Sequence, residues 1–221
     1  PHLWNLLNAM QIITLSKPGF EADDIIGTLA REGSKDGLDV FIVSGDKDFM
    51  QLVNDHVFLY TPGGRSMDIR IYDSKGVEAK WGVPPEKMID FLGLMGDSSD
   101  NIPGVPGIGI KTASELINKY KTLDTLLKKA EEIPQNKRRE TLLANKDKAL
   151  LSRQLVTLKD DVPVKDKLSS FLLKEVQKEK LYDFLRKMEF NKLLSRAIGF
   201  YGETGKKKSE LNTTKTPDSN T

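Results

Sequence analysis

The sequence predicts an α/β fold: a parallel sheet over roughly its first third, followed by a helical half. Three observations carry this. Val40–Ser44 (VFIVS) is an unbroken β-branched and aromatic run, the signature of a strand in a parallel sheet. Strand and helix patterns alternate over residues 12–60, which requires crossover connections. Beyond Trp81 the period changes to that of short helices.

Taken in order, Leu3, Leu6, Leu7 and Met10 stand at helical spacing, and Ile12–Leu15 reads as a short strand. The pattern opens mid-helix on Pro1, so more chain is expected upstream. Pro18-Gly19 breaks the chain before a helix from about Glu21 to Gly33. VFIVS follows, Gly45-Asp46 ends it, and Asp48–Leu52 starts another helix. Val57–Tyr60 and Ile69–Tyr72 are strands flanking the Pro62-Gly63-Gly64 turn. Residues 85–95, 111–120, 122–130, 138–144 and 146–152 read as helices, Gln154–Leu158 (QLVTL) as a strand returning to the sheet, and 171–189 as one or two helices. From Gly202 the chain is Lys, Ser, Thr, Asn and Pro, the composition of a disordered tail. The expected segments are therefore 1–80, 81–153, 154–201 and 202–221.

Composition narrows the class. The 221 residues are 38% hydrophobic and 30% charged, a globular balance. No apolar run approaches the ~20 residues of a membrane helix. Absence of cysteine excludes disulfides and thiolate metal sites and suits the cytoplasm. Net charge is +2, but residues 21–100 hold 8 Lys/Arg against 16 Asp/Glu and residues 103–153 hold 11 against 6. An acidic block beside a basic one suits a cation site next to a polyanion surface, or simply two solvated faces.

Three acidic clusters punctuate the acidic block: Glu21-Ala-Asp23-Asp24 at a helix start, Asp46-Lys47-Asp48 after VFIVS, and Asp97-Ser-Ser-Asp100. Singly, the first reads as helix capping and Asp46 as a turn residue. Together they point elsewhere. Carboxyl ends of parallel strands form the functional crevice, and Asp97 and Asp100 are spaced to share a helix face. Crowded carboxylates call for hard divalent cations such as Mg²⁺ or Mn²⁺, and two such ions about 3.5–4 Å apart clamp a phosphodiester for hydrolysis. His2 and His56 are isolated and offer no rival site.

Gly104-Val-Pro-Gly107-Ile108-Gly109-Ile-Lys111-Thr112 lies between two helices. Its glycines let backbone approach a ligand, the next helix offers free N–H groups, and Lys111 adds charge: a phosphate grip, or else a plain helix–helix turn. It is not a Walker loop, whose glycines are spaced differently and follow a strand.

GFEADDIIGTLA (19–30), VSGDKDFMQLV (43–53), WGVPPE (81–86) and FLGLMGDSSDNIPGVPGIGIKTA (91–113), in this order, resemble the 5′–3′ exonuclease domain of bacterial DNA polymerase I and, more distantly, flap endonucleases. The resemblance spans about residues 1–200. It implies a PIN-like nuclease core, here incomplete, with a helix–three-turn–helix DNA-binding module. It places Glu21 and Asp23 at a first metal and Asp46, Asp48 and Asp97 at a second, catalytic centre. Asp100 would stand close by, and Asp24 would lie within the motif. Gly104, Gly107, Ile108, Gly109, Lys111 and Thr112 would hold duplex DNA, with K⁺ assisting. The substrates implied are 5′ flaps and nicked or primer-bearing duplexes, cut by a monomer whose parent chain continues into a polymerase domain. The family's remaining acidic ligands and its basic arch would lie upstream. The alternative expectation is a duplex-binding module without catalysis.

Overall fold

The computed structural model describes residues 2–63 and 69–204. Gly64 of the expected turn and residues 205–221 of the expected tail lie outside them. The chain runs α1 (His2–Ala9), α2 (Ala22–Lys35), β1 (Val40–Val43), β2 (Val57–Thr61), β3 (Arg70–Tyr72), α3 (Ser74–Trp81), α4 (Met88–Met95), α5 (Ile110–Tyr120), α6 (Leu123–Lys128), α7 (Asn136–Ala144), α8 (Lys146–Val156), α9 (Lys178–Lys187) and α10 (Asn191–Tyr201). Single 3₁₀ turns at Asp48–Leu52 and Pro85–Lys87 lead out of β1 and into α4.

Among the described residues two compact units result, one from residues 15–170 and one from residues 2–14 with 171–204. In the larger, β1 and β2 pair in parallel, Val40 beside Val57 and Val43 beside Tyr60, and β3 runs antiparallel to β2. Strand alternation turns Ile42, Val57, Leu59 and Tyr72 into the core. The opposite face is bare: β1 was expected to be covered on both sides, yet Phe41 and Val43 are more than half exposed. Phe41 stacks there on Phe58 with ring centroids 5.2 Å apart.

β1 packs against α2, and the 3₁₀ turn at Asp48–Leu52 links the sheet to α4, whose Met88, Phe91, Leu92 and Leu94 are fully enclosed. Gly93 lets α8 close on α4, since a Cβ there would stand 2.9 Å from the Arg153 Cβ. The Arg153 guanidinium then binds Asp90 and, at 2.8 Å, Asp124, while Asp90 accepts the Leu123 N–H that opens α6. On α5, Ala113, Leu116, Ile117 and Tyr120 recur at helical spacing on the buried side. Sheet and helices of this unit share one continuous core.

Two expected elements differ, and one helix was not expected. Residues 12–15 form no strand: Gln11 leaves α1 with φ +58°, and Ile12 and Ile13 are 41% and 40% exposed, without a partner strand. Gln154–Leu158 is not a returning strand either. α8 runs through Val156 because Ala149, Ser152 and Val156 keep the helical period into the core. α3 was not anticipated, although its signals are present: Asp73 caps it by accepting the Gly76 N–H at 2.7 Å, and Gly82 ends it in the left-handed region.

In the smaller unit Ala9 packs with Leu181, Tyr182 and Leu185, and the Gln177 N–H donates to the Ala9 carbonyl at 2.9 Å. Two helices, α9 and α10, occupy residues 178–201, the second lying wholly beyond the expected limit of 189.

Candidate functional site

All three acidic clusters lie in the larger unit. At the carboxyl end of β1 the Asp46 N–H donates to the Ser44 hydroxyl at 3.0 Å, and Asp46 Oδ1 accepts the Asp48 N–H at 2.9 Å. This Asx turn ends the strand and starts the 3₁₀ turn. Asp48 is thereby drawn inward, where its Oδ1 is buried without a hydrogen-bond partner. Burial and the neighbouring Asp46 push its pKa up to about 6, against the lowering effect of Lys47.

Glu21 stands at the N-cap of α2 with extended backbone but makes no capping hydrogen bond. Its carboxylate is not spent on the helix, so the capping account fails for it. Asp23, in the first turn of α2, has a raised pKa, from burial first and then from Asp46, Glu21, Asp24 and Asp100. Asp24 behaves differently. Its Oδ1 accepts the Lys159 N–H at 2.9 Å, and Thr28 bonds Val162 one turn on, so Asp24 fastens residues 159–162 along α2.

Asp97 and Asp100 do not share a helix face, because α4 ends at Met95 with Gly96 at φ +73°. They flank a tight loop closed by Asp97 and Ile102, each donating its N–H to the other's carbonyl at 2.9 and 2.7 Å. Asp97 is buried to 7% exposure. That burial alone would raise its pKa. The Lys47 ammonium, the Ser99 N–H and the Asp100 carboxyl outweigh it and hold Asp97 below the usual range. Asp100 is raised by the hydrogen bond and charge of Asp97.

Glu21, Asp23, Asp46, Asp48, Asp97 and Asp100 thus form one field in which each carboxylate is felt by others. Among the described residues, however, no three His, Cys, Asp or Glu side chains are arranged as a ready chelate. The residue that sequence reasoning passed over is Lys47, whose ammonium is bonded to Asp97 across the cluster. Its place between two carboxylates in Asp46-Lys47-Asp48 was the available signal.

The glycine hairpin divides into an inner and an outer part. Gly104 is buried at φ +56°, where a Cβ would meet the Gly96 nitrogen at 2.5 Å, and its N–H donates to the Ser152 hydroxyl at 2.9 Å. Ile108 is 5% exposed and belongs to the core. Both hold the hairpin's shape from within. Gly107 (φ +76°) and Gly109 are exposed, with nothing within 4 Å of a Cβ position. Gly109 caps α5 without a side chain, so the first N–H groups of the helix point outward beside exposed Lys111 and half-buried Thr112.

Comparison with known proteins adds to this geometry. Residues 1–82 match the family model "5′-3′ exonuclease, N-terminal resolvase-like domain", and residues 83–179 match "5′-3′ exonuclease, C-terminal SAM fold". The chain is 51% identical to a DNA polymerase I of Rhizobium leguminosarum over 85% of its own length and 18% of the relative's. Against DNA polymerase I of Bacillus subtilis it is 40% identical over 89% and 22%. Against a 5′-3′ exonuclease of Buchnera aphidicola it is 40% identical over 78% and 61%. It therefore spans about a fifth of the DNA polymerase I relatives it matches. Among solved structures, the catalytic core of Rad2 in complex with DNA substrate aligns with TM-score 0.63 at 17% identity, covering 90% of this chain and 67% of that one. A bacteriophage T5 5′-exonuclease with bound divalent zinc aligns with TM-score 0.57 at 20% identity, covering 86% and 63%. These likenesses show that the fold is a PIN-type α/β core with a SAM-like helical part.

Proposed function

The chain belongs to the 5′–3′ exonuclease family, and from that premise we propose that it is the hydrolytic part of a divalent-metal-dependent 5′ nuclease acting on DNA. One observation carries the reading: carboxylates from three separate stretches converge, and burial, followed by their mutual repulsion, raises Asp23 and Asp48. Such a field is unfavourable for a protein alone and favourable around a cation.

The residues fit a hard divalent ion in chemistry. All the donors are carboxylate oxygens, and the orphaned Asp48 Oδ1 is a buried acceptor with no protein partner. Asp46, Asp48 and Asp97 would hold one ion, Mg²⁺ or Mn²⁺, with Asp100 behind them, and Glu21 and Asp23 would face a second. Bound ions would supply charge to the phosphodiester and lower the pKa of an attacking water. Asp24, tied to Lys159, positions the start of α2. The open backbone at Gly107 and Gly109, the α5 N-terminus, Lys111 and Thr112 would grip the phosphates of a duplex without reading its bases, with a monovalent cation such as K⁺ on the hairpin carbonyls. Specificity would then be for structure: 5′ flaps, nicks and primer-bearing ends, as DNA replication and repair present them. The names of the relatives support a polymerase domain as its working neighbour.

The test is cleavage of a 5′-flap DNA with Mg²⁺ or Mn²⁺ present and absent. Asp46→Ala and Asp97→Ala should each remove metal-dependent cleavage by more than about a hundredfold while duplex binding survives. Cleavage by both variants at the original rate would sink the assignment. The absence of a ready three-carboxylate chelate among the described residues favours a second reading, a duplex-binding module without catalysis. It predicts salt-dependent duplex binding and no cleavage with either metal.

A further inference from the structure

The Lys47 side chain leaves the Asp46–Asp48 turn and reaches Asp97, fifty residues away in sequence. Its backbone is fixed by that turn, at φ −74° and ψ −20°. Both partners are sheltered, with side-chain exposures of 21% for Lys47 and 6% for Asp97. Ordering a long lysine against a carboxylate costs rotamer entropy, and at an exposed surface the pair would return little. Here the return is larger, because Asp97 is buried and its neighbours Asp46, Asp48 and Asp100 are all acidic.

We propose that Lys47 is a built-in counter-ion, occupying Asp97 while no metal is bound and yielding that carboxylate when a divalent cation enters, so that it sets the metal affinity of the site. The inference rests on the metal reading above. An ammonium and a divalent ion on one carboxylate repel at contact distance. Metal entry must therefore break the Lys47–Asp97 pair or tolerate that repulsion, and either route weakens binding by about tenfold or more. The arrangement has a use: in the metal-free state it keeps the acidic cluster from forcing its own loops apart.

The experiment is a Mn²⁺ titration of the chain, reading free Mn²⁺ by electron paramagnetic resonance, on the wild type, Lys47→Met and Lys47→Arg. Lys47→Met keeps the length and apolar stem and drops the charge. It should bind Mn²⁺ at least about tenfold tighter. Its thermal midpoint should fall below wild type without metal and recover at saturating Mn²⁺. Lys47→Arg should bind no tighter than wild type. Equal affinity for Mn²⁺ in the wild type and Lys47→Met overturns the inference and leaves the metal reading standing. Mn²⁺ binding to neither chain overturns both. A measurement read on the wild type guards against misfolding of Lys47→Met. The Lys47 ammonium resonance, assigned by its loss in Lys47→Arg, should move to the position of a free lysine on Mg²⁺ addition; a resonance unmoved at saturation overturns the inference as well.

Discussion

The acidic cluster and the glycine hairpin are joined through Gly96, yet they are built on opposite terms. In the hairpin, polar groups find partners within the chain: Gly104 N–H on Ser152, Val105 N–H on the Leu94 carbonyl at 2.8 Å, Ile108 N–H on the Val105 carbonyl at 3.1 Å. That inner part is finished before any ligand arrives. In the cluster, Asp48 keeps a buried oxygen without a partner and its carboxyl is pushed towards neutrality. The fold supports that strain at one place by the closed inner bonds of the next. A gripping surface works best rigid, whereas a cation site works by being unfavourable until filled.

The comparison breaks first at Gly104. Gly104→Ala puts a Cβ into the Gly96 backbone at a positive φ, and should cost about 3 kcal/mol or more in urea denaturation. A loss below about 1 kcal/mol would mean that the hairpin is looser than its contacts.

Next is Asp48→Asn, expected to raise stability at pH 7 without metal, because the cluster loses a charge it disfavours. The pH dependence fixes the sign. The folded pKa, about 6, lies above the unfolded value of 3.8, so the native state holds the extra proton. That contribution is full below the unfolded value and is lost as pH rises from about 4 to 6. Thermal midpoints of the metal-free wild type should fall across this window, and those of Asp48→Asn should fall less. Identical slopes would remove Asp48 as the source.

The smallest effect is expected at the outer hairpin. Lys111→Gln should leave stability unchanged and lower the salt slope of duplex binding by about one phosphate contact. An unchanged slope would take Lys111 off the interface.

The local patterns were legible in the sequence where the signal is local. The β1 run, the helical period of α5 and the Asp-Lys-Asp step after a strand can each be read from neighbours along the chain. The QLVTL segment misled because an apolar run of that length suits either period, and only the core contact of Val156 decides for helix. The spacing of Asp97 and Asp100 misled likewise: i, i+3 fits a helix face and equally a loop that Gly96 has turned out of the helix.

By itself the sequence determined the fold class, the order of the motifs and the residue types at the site, since these follow from periodicity, turn chemistry and spacing. The tertiary structure alone decided which of those residues meet. It divided Gly104 and Ile108 from Gly107, Gly109, Lys111 and Thr112 by burying the first pair, and it turned Asp24 to the Lys159 backbone. It also brought Lys47 onto Asp97. Burial and long-range charge depend on distances between segments far apart in the chain, and no local pattern records them.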